Sequence, residues 1–311
     1  MLMDNEFILM DRVQKIKQII NQYGEENFYL SFSGGKDSTV LSALVDLALP
    51  YNQIPRVFAD TGIELDIIKH FVFKLKEKDE RIQIIKPCKN IKKTLEIYGY
   101  PFKSKDHSGK VATFQNSGFS KTVDRYLNPP LERKSFGCPK ILKYQFEQDF
   151  KIKISRKCCD KMKKEPLHKW ARENKKPYGI VGIMKSECGS RLNAHCLAFK
   201  SSGKLKNFQP LVAITKEWED WFISEYNIQI CDIYYPPYNF ERTGCKGCPF
   251  NIHLQKELDV LEKYFPNEKK QCEIIWKPVY DEYRRLHYRL KDNNFNQIDL
   301  FDYLGVQFEQ I

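Results

Sequence analysis

The chain has 311 residues, of which 42 % are hydrophobic and 29 % charged, a composition typical of globular rather than disordered proteins. No apolar run reaches the roughly 20 residues of a membrane-spanning helix, and the first residues, with Asp4 and Glu6, do not form a signal peptide. We therefore expect a cytoplasmic protein without membrane contact. Its ten cysteines should be reduced thiols that can bind a metal or a cluster.

The first part of the chain predicts a helix, a strand and a second helix. Apolar residues recur at helical spacing over residues 6–23 and 37–47, and an apolar run beginning at Phe28 predicts a buried strand. A Ser-Gly-Gly-Lys-Asp-Ser loop joins this strand to the second helix. Its glycines leave space for a ligand, and the helix N-terminus and the Lys36 ammonium attract an anion. We predict a phosphate site, with an ordinary Gly-Gly turn as the alternative. The predicted ligands are Ser31, Ser33, Gly34, Gly35, Lys36, Asp37 and Ser38.

This loop resembles the pyrophosphate-binding signature of the adenine-nucleotide alpha-hydrolase superfamily, also called N-type ATP pyrophosphatases. It differs from the P-loop, which has four residues between its first Gly and its Gly-Lys-Ser/Thr end. The resemblance implies a Rossmann-like α/β fold with a doubly wound, mostly parallel sheet. It also implies that the loop holds ATP, together with Mg²⁺, or a related adenine nucleotide such as adenosine phosphosulfate (APS) or phosphoadenosine phosphosulfate (PAPS). Lys36 and Asp37 would then be catalytic.

A second candidate motif follows the next predicted strand, at 54–60. Asp60, Thr61, Gly62 and Glu64 precede a predicted helix at 65–76 and a strand at 81–86. Alternating strands and helices predict a parallel sheet that binds ligands at the carboxyl ends of its strands. The turn resembles the second motif of the PAPS reductase branch of the superfamily, where these side chains lie near the nucleotide. A capped helix start, with Thr61 or Asp60 as the cap, explains the same residues.

Residues 98–133 form the least regular stretch, rich in Gly, Ser, Lys, Asn and Pro. Such long insertions are usually binding loops or spacers, and we expect either a substrate-facing loop or a solvated spacer. Cys138 and Pro139 begin a predicted helix that reaches about residue 149. Cys138 is a candidate catalytic thiol, with a structural thiol as the alternative.

A rare vicinal pair, Cys158-Cys159, and a distant Cys245-x-x-Cys248 form the second strong motif. Four thiolates suit a zinc ion or an iron–sulfur cluster. The pair, its Lys-x-x-Pro-Leu context and the distant motif resemble the 4Fe–4S site of APS reductases, which implies a 4Fe–4S cluster on these four residues. We expect a bent backbone at the pair, since adjacent side chains normally point apart. Cys88, Cys188, Cys196, Cys231 and Cys272 are predicted to be small buried residues.

A further predicted strand at 178–183 leads into a stretch similar to the Gly-x-x-x-x-Glu-x-x-x-Arg pattern of PAPS-reductase-like proteins. The similarity implies that Gly182, Lys185, Glu187 and Arg191 face the nucleotide. For Arg191, a surface ion pair is the alternative. A helix at 215–226 and a Tyr- and Pro-rich linker at 230–239 follow.

Two helices are predicted within 254–290. Their Tyr and Arg residues could clamp a nucleic acid or belong to an amphipathic packing helix. These patterns divide the chain into a nucleotide-binding α/β domain at 1–235 and, at 236–311, a Cys-x-x-Cys segment with a helical C-terminal extension that closes the iron–sulfur site. The family resemblance covers about residues 27–250.

Three functions are compatible with these motifs. The first is an APS or PAPS reductase that releases sulfite, although 291–311 lacks the nucleophilic cysteine of such reductases, and their loop is usually incomplete. The second is an ATP pyrophosphatase that adenylates a substrate and supports iron–sulfur-dependent sulfur transfer. We favour the second because the loop is intact. The third is a non-catalytic nucleotide- or nucleic-acid-binding module.

The expected partners follow from charge and resemblance. The net charge of +11 favours an anionic partner, although a lysine-rich composition explains it equally well. Related enzymes thiolate tRNA bases or the DNA backbone, so a nucleic-acid acceptor is expected alongside the adenine nucleotide. A sulfur or electron donor and a homo-oligomeric state complete the expectations.

Overall fold

The computed structural model describes residues 2–130, 137–187 and 189–291. It contains a six-stranded sheet. The strand order is β3-β2-β1-β4-β6-β5. All neighbours are parallel except β5, which runs antiparallel to β6. The predicted doubly wound, mostly parallel sheet is therefore confirmed. The strands are β1 (Phe28–Phe32), β2 (Arg56–Ala59), β3 (Ile82–Ile85), β4 (Tyr178–Ile180), β5 (Leu197–Phe199) and β6 (Leu205–Phe208).

Helices pack against this sheet and against one another. Tyr29 and Val57 of the sheet form an apolar cluster with Trp170 and Ala171. This cluster buries large side chains and stabilises the packing of one helix on the sheet. The helices concerned are α1 (Leu2–Tyr23), α2 (Lys36–Ala48), α3 (Asp66–Lys78), α8 (Glu165–Glu173) and α9 (Lys216–Glu225). Helix α4 (Ile91–Tyr98) follows β3 in the chain.

The chain divides into two compact units, Met1–Thr94 with Cys159–Lys246, and Leu95–Cys158 with Gly247–Ile311. This division does not follow the predicted boundary at 235/236. The sheet is built from two separated stretches of chain, and the insertion between them groups with the C-terminal helices.

The second unit is helical where an irregular loop was expected. The structure has α5 (Lys105–Ser117) and α6 (Lys121–Leu127) in place of the loop or spacer predicted at 98–133. Ser104 and Ser120 cap these helices by accepting hydrogen bonds from the His107 and Val123 amides. The expectation was wrong because Gly, Ser and Asn lower helix propensity locally, whereas buried Val111 and Tyr126 stabilise the helices by packing. The predicted helix after Pro139 is a shorter 3₁₀ helix, Lys140–Phe146.

The insertion packs on the two C-terminal helices, α10 (Leu254–Tyr264) and α11 (Pro266–Arg285), which the sequence predicted. The rings of Phe102 and Tyr283 lie 4.6 Å apart, and the Lys103 amide donates to the Tyr283 hydroxyl at 2.7 Å. Tyr280 and Tyr283 are fully buried. The aromatic residues of α11 therefore belong to a packing helix and not to a nucleic-acid clamp. In the described parts of the chain, no helix is long and apolar enough to cross a membrane.

His107 should make stability depend on pH. The side chain is fully buried, and its ring nitrogens contact the Tyr126 hydroxyl at 2.9 Å and Gln145 Oε1 at 2.7 Å. Burial lowers its pKa from the usual 6.5 to about 4. Stability should therefore be complete above about pH 6.5 and fall as the pH drops towards 4, with a loss of about 2 kcal/mol between pH 7 and pH 5.

This loss can be measured by urea unfolding of the unmodified chain and of His107→Gln at both pH values. The variant should be less stable at pH 7 but should show a smaller pH-dependent loss. Parallel pH profiles for the two proteins would show that His107 is not responsible.

Candidate phosphate-binding site

The Ser33–Ser38 loop lies where the strand order of the sheet reverses. From β1 the chain passes to β2 and β3 on one side, and it later returns to β4 on the other side of β1. Crevices at such switch points, outside the carboxyl ends of the strands, bind ligands in open α/β sheets. The loop joins β1 to the N-terminus of α2, so the amides of that helix face the crevice region. This is the predicted position.

Hydrogen bonds within the loop fix its shape. The Ser33 amide donates to Ser38 Oγ at 3.2 Å, and the two serine hydroxyls are 3.0 Å apart. The Gly35 amide donates to Ser33 Oγ at 3.3 Å, and the Ser38 hydroxyl donates to the Gly35 carbonyl at 2.9 Å. The loop is thus closed around its own serines, as expected of a preorganised anion site. Ser31 lies inside β1, opposite Val57, so its predicted role as a ligand stays a prediction.

The two glycines are required for different reasons. Gly34 has φ = 69°, a left-handed conformation, and a Cβ at this position would lie 2.5 Å from Val72 Cγ2 on α3. Gly35 has an ordinary φ, but a Cβ there would lie 3.0 Å from Thr243 Oγ1. The loop is therefore packed tightly on α3 on one side and on Thr243 on the other.

A segment predicted to be a linker holds the loop from outside. The Lys36 amide donates to the Tyr234 hydroxyl at 3.0 Å, which is 2.6 Å from Thr243 Oγ1. Tyr234 belongs to a short 3₁₀ helix, Asp232–Tyr234, and the neighbouring Ile233 is fully buried. The linker prediction at 230–239 was wrong, because Ile233 is buried and Tyr234 hydrogen-bonds to the loop, although Tyr235 and the two prolines are exposed.

Two carboxylates of α9 hold the Lys36 side chain. Its Nζ lies 3.5 Å from Glu219 Oε2 and forms a hydrogen-bonded ion pair with Asp220. Glu219 is 2 % exposed, and burial, followed by the nearby Asp37 charge, raises its pKa to about 7. Neither residue was predicted from the sequence. One indication of a buried carboxylate was present, because Glu219 lies three residues before Phe222 and therefore on the apolar face of the helix.

The chain after β4 also approaches the loop. A Cβ on Gly182 would lie 3.3 Å from the Asp37 carbonyl oxygen, so the two backbones are close. Burial and the charge of Arg242 lower the pKa of Arg191, while Asp37 acts in the opposite direction. The structure therefore places the backbone of Gly182 against Asp37, and the charges of Asp37 and Arg242 act on Arg191. Lys185 is exposed on a 3₁₀ helix, and the Glu187 side chain lies outside the described part of the structure.

The Asp-Thr-Gly-x-Glu turn is a hydrogen-bonded unit that precedes a helix without capping it. Thr61 donates to both oxygens of Glu64, at 2.7 and 2.8 Å through its hydroxyl and at 3.0 Å through its amide. Asp60 Oδ2 is 3.0 Å from Lys69 Nζ. Helix α3 begins only at Asp66, after Leu65, and no side chain caps it. The capped-helix explanation was wrong, and a role for these residues at the nucleotide stays a prediction.

A family comparison matches most of the chain. Residues 27–124 and 130–251 match the model of the phosphoadenosine phosphosulfate reductase domain. The chain belongs to this family. The resemblance to the PAPS reductase branch of the adenine-nucleotide alpha-hydrolase superfamily, predicted from the loop and the later motifs, is therefore confirmed. A comparison with curated protein sequences gives no match.

Solved structures with similarity to this family member include three distant ones. A PAPS reductase from Candida auris in a phosphate complex has 13 % identity and a TM-score of 0.39, covering 71 % of this chain and 88 % of that chain. An NH₃-dependent NAD synthetase from Campylobacter jejuni has 12 % identity and a TM-score of 0.39, and the match covers 90 % of this chain and 95 % of that chain. The U34-tRNA thiolase NcsA from Methanococcus maripaludis, with its 4Fe–4S cluster, has 16 % identity and a TM-score of 0.37. The match covers 95 % of this chain and 84 % of that chain.

The predicted cluster ligands of this PAPS reductase family member are divided between the two units. Cys159 and Cys245 belong to the first, Cys158 and Cys248 to the second. Four thiols are the donor set that a 4Fe–4S cluster uses, so the residue types fit such a cluster. Among the described residues, however, no three His, Cys, Asp or Glu side chains are placed to hold a metal ion. The cluster and its ligands therefore stay predictions.

The vicinal pair lies in a helical segment instead of a bend. Helix α7 (Lys157–Cys159) passes directly into a π-helical turn, Asp160–Lys164, and then into α8. Cys159 has ordinary helical backbone angles, so the bend predicted at the pair was wrong. Successive helical side chains are about 100° apart, not opposed, and π turns are frequent at functional sites.

The environment of Cys245 is charged. Loss of hydration raises its pKa to about 11, whereas the nearby Lys163 ammonium acts in the opposite direction. Lys163 Nζ is 3.5 Å from Glu64 Oε1. The Asp-Thr-Gly-x-Glu turn therefore adjoins the first cysteine of the Cys-x-x-Cys motif, and the Lys246 amide donates to the Ile63 carbonyl at 2.7 Å.

The other cysteines include the candidate thiol Cys138. It is buried in the second unit, and burial raises its pKa to about 11, against the effects of Lys103 and Lys143. A raised pKa leaves little nucleophilic thiolate at neutral pH, so its environment does not support the catalytic role, which stays a prediction. Cys231 and Cys272 are buried as expected, Cys196 is half-buried, and Cys88 is exposed, contrary to expectation. Cys188 lies outside the described residues.

Replacing Gly34 by alanine should destabilise the protein more than replacing Gly203. Both glycines have positive φ, but a Cβ on Gly203 meets no atom within 4 Å. Gly203→Ala should therefore cost only backbone strain, about 1 kcal/mol, and Gly34→Ala about 1–3 kcal/mol more from overpacking against α3. Urea unfolding of both variants measures this difference. Equal losses would mean that α3 yields to the added methyl group.

Proposed function

We propose that this chain is an ATP pyrophosphatase that adenylates a substrate and supports iron–sulfur-dependent sulfur transfer. The observation that carries the proposal is the complete, preorganised phosphate loop at the switch point of the sheet. APS and PAPS have no β and γ phosphates, so a reductase does not need such a loop. A pyrophosphatase needs it to hold the leaving group.

The chemistry assigned to the loop is transfer of the adenylyl group. A substrate oxygen forms a bond to the α phosphorus of ATP, and the bond between this phosphorus and the bridging oxygen breaks. The electron pair leaves with pyrophosphate, where negative charge accumulates. The Lys36 ammonium, the N-terminal amides of α2 and the Ser33 and Ser38 hydroxyls stabilise this charge. The adenylated centre is then open to a sulfur nucleophile.

Cys158, Cys159, Cys245 and Cys248 are the proposed ligands of the 4Fe–4S cluster, with zinc as the alternative metal. When bound, the cluster would hold or deliver the sulfur that is transferred. The Lys163 ammonium beside Cys245 favours a thiolate, but burial outweighs it and raises the pKa of the thiol, so metal binding would have to release the proton.

An APS or PAPS reductase is the second candidate, because the chain belongs to the family named for that activity. It would use the same cysteines and release sulfite. The two candidates differ in their nucleotide product, which makes them separable by one experiment.

The loop makes a direct prediction for Lys36→Ala. Anaerobically purified protein supplied with Mg-ATP alone should release pyrophosphate and AMP, with water as the oxygen that attacks the α phosphorus. The variant should lose this activity about 100-fold or more because a charge stabiliser of the leaving group is gone. Lys277→Ala is the matched control, since Lys277 is 69 % exposed on α11 and pairs only with a surface carboxylate. Its activity should be unchanged.

APS and PAPS are supplied in parallel, with a thioredoxin-type reductant. Sulfite from either of them, without turnover of ATP, would overturn the pyrophosphatase proposal and leave the reductase. Iron and sulfide analysis of the same preparation checks the cluster independently of either activity.

A nucleic acid is the proposed acceptor, because positive charge is concentrated in the insertion. Residues 95–158 contain 13 Lys and Arg but only 6 Asp and Glu, so this stretch carries most of the net charge of +11. An overall lysine-rich composition would instead spread the charge along the chain. Nucleic-acid affinity depends strongly on such clustered cations.

Within the insertion, four exposed cations lie within seven residues, three of them before helix α7 and one at its first residue. We call this group the basic strip. No carboxylate of the described residues forms an ion pair with them. Lys157 Nζ also lies 5.6 Å from the centre of the Tyr98 ring, and Ile154 bridges to Tyr100. The basic strip consists of Lys151, Lys153, Arg156 and Lys157.

Removing the basic strip should weaken nucleic-acid binding. Replacing its four residues by alanine should lower the affinity for bulk tRNA or duplex DNA at least about tenfold, and should reduce the salt slope by about 3. Fluorescence anisotropy at several salt concentrations measures both. The matched control removes four exposed lysines elsewhere, Lys169, Lys200, Lys263 and Lys277. Equal losses in both variants would attribute binding to net charge and not to this surface.

A further inference from the structure

Two neighbouring carboxylates of α9 face the phosphate loop. Asp220 pairs with the Lys36 ammonium and is 65 % exposed, while Glu219 is 2 % exposed and lies 3.5 Å from the same ammonium. The Lys36 ammonium, which an incoming phosphate would use, is therefore already engaged with carboxylates. Phosphate binding must redistribute these contacts.

Glu219 has one oxygen that is not satisfied. Its Oε2 faces Lys36, but its Oε1 is buried and has no hydrogen-bond partner among the residues that the structure describes. Burying a carboxylate oxygen without a partner is costly, so such an atom indicates a ligand that the site normally receives. Glu219 lines a cleft of about 870 Å³ beside the loop, large enough to admit one.

The cleft has the wrong charge for a nucleotide alone. Four carboxylates line it, against three basic side chains, Lys36, Lys216 and Arg242. A triphosphate entering this cleft would meet an excess of negative charge. A divalent cation entering with the phosphates would reverse this balance. The carboxylates are those of Asp37, Glu219, Asp220 and Glu241.

We propose that Glu219 and Asp220 form the protein side of a divalent-cation site, for Mg²⁺ or Mn²⁺, which the phosphate oxygens of the nucleotide complete. This inference rests on the proposed function. Mg²⁺ in such sites keeps several waters and uses one or two carboxylates plus substrate phosphates. A preformed group of three protein ligands is therefore not required. As the cation replaces the ammonium at Glu219 and Asp220, Lys36 becomes available to the phosphates.

The test measures binding, not turnover. The affinity of α,β-methylene-ATP, which the enzyme cannot cleave, is measured calorimetrically with Mg²⁺ and with EDTA. The unmodified chain should bind at least about tenfold more tightly with Mg²⁺. Glu219→Gln and Asp220→Asn should lose most of this gain. In EDTA they should bind as tightly as the unmodified chain or more tightly, since each lacks a carboxylate that repels the phosphates.

Glu217→Gln is the matched control, because Glu217 is exposed on the same helix and does not line the cleft. It should keep the full Mg²⁺ gain. Asp220→Asn tests the site without the risk of misfolding that a change at buried Glu219 carries, because the Asp220 side chain is mostly exposed to solvent.

A full Mg²⁺ gain in the Glu219→Gln/Asp220→Asn double variant would overturn the cation site and leave the pyrophosphatase proposal intact. Absence of a gain in the unmodified chain would do the same. If the unmodified chain binds the analogue in neither buffer, the proposed function fails, and this inference with it.

Discussion

Close packing around the Gly34-Gly35 turn is the constraint on which the rest of the site depends. The chain must leave β1 and enter α2 within a few residues, in contact with Val72 on one side and Thr243 on the other. A Cβ at Gly34 would clash with Val72, and one at Gly35 would crowd Thr243. The resulting loop directs the amides of α2 towards the crevice. The parallel sheet places this turn beside the chain that follows β4.

The electrostatics of the site follow from the same placement. Lys36 begins α2, so its side chain reaches α9, where Glu219 and Asp220 hold it. The ammonium is thereby kept charged and oriented, while Glu219 is left with a buried, unsatisfied oxygen. In the proposed cation site, a divalent cation that arrives with the phosphates would take over these carboxylates and release Lys36. Phosphate binding would then be coupled to metal binding.

The insertion at residues 95–158 belongs to the second compact unit. It interrupts the sheet between β3 and β4 and packs on α10 and α11, which bury Phe102 against Tyr283. Because packing supplies its stability, its surface residues can be cationic without cost to the core. The concentration of Lys and Arg in this insertion is therefore the basis of the nucleic-acid surface proposed above.

The residue pattern by itself determined the strand, loop and helix of the phosphate site, the parallel sheet and the family. These features depend on local periodicity and on a glycine pair whose steric role is visible in sequence. The pattern failed for α5 and α6, whose low helix propensity is overcome by burial. Only the tertiary structure decided that Glu219, Asp220 and Tyr234 belong to the site. Tyr234 lies 198 residues from Lys36, and hydrogen bonds between such distant residues are created by folding and leave no local pattern in the chain.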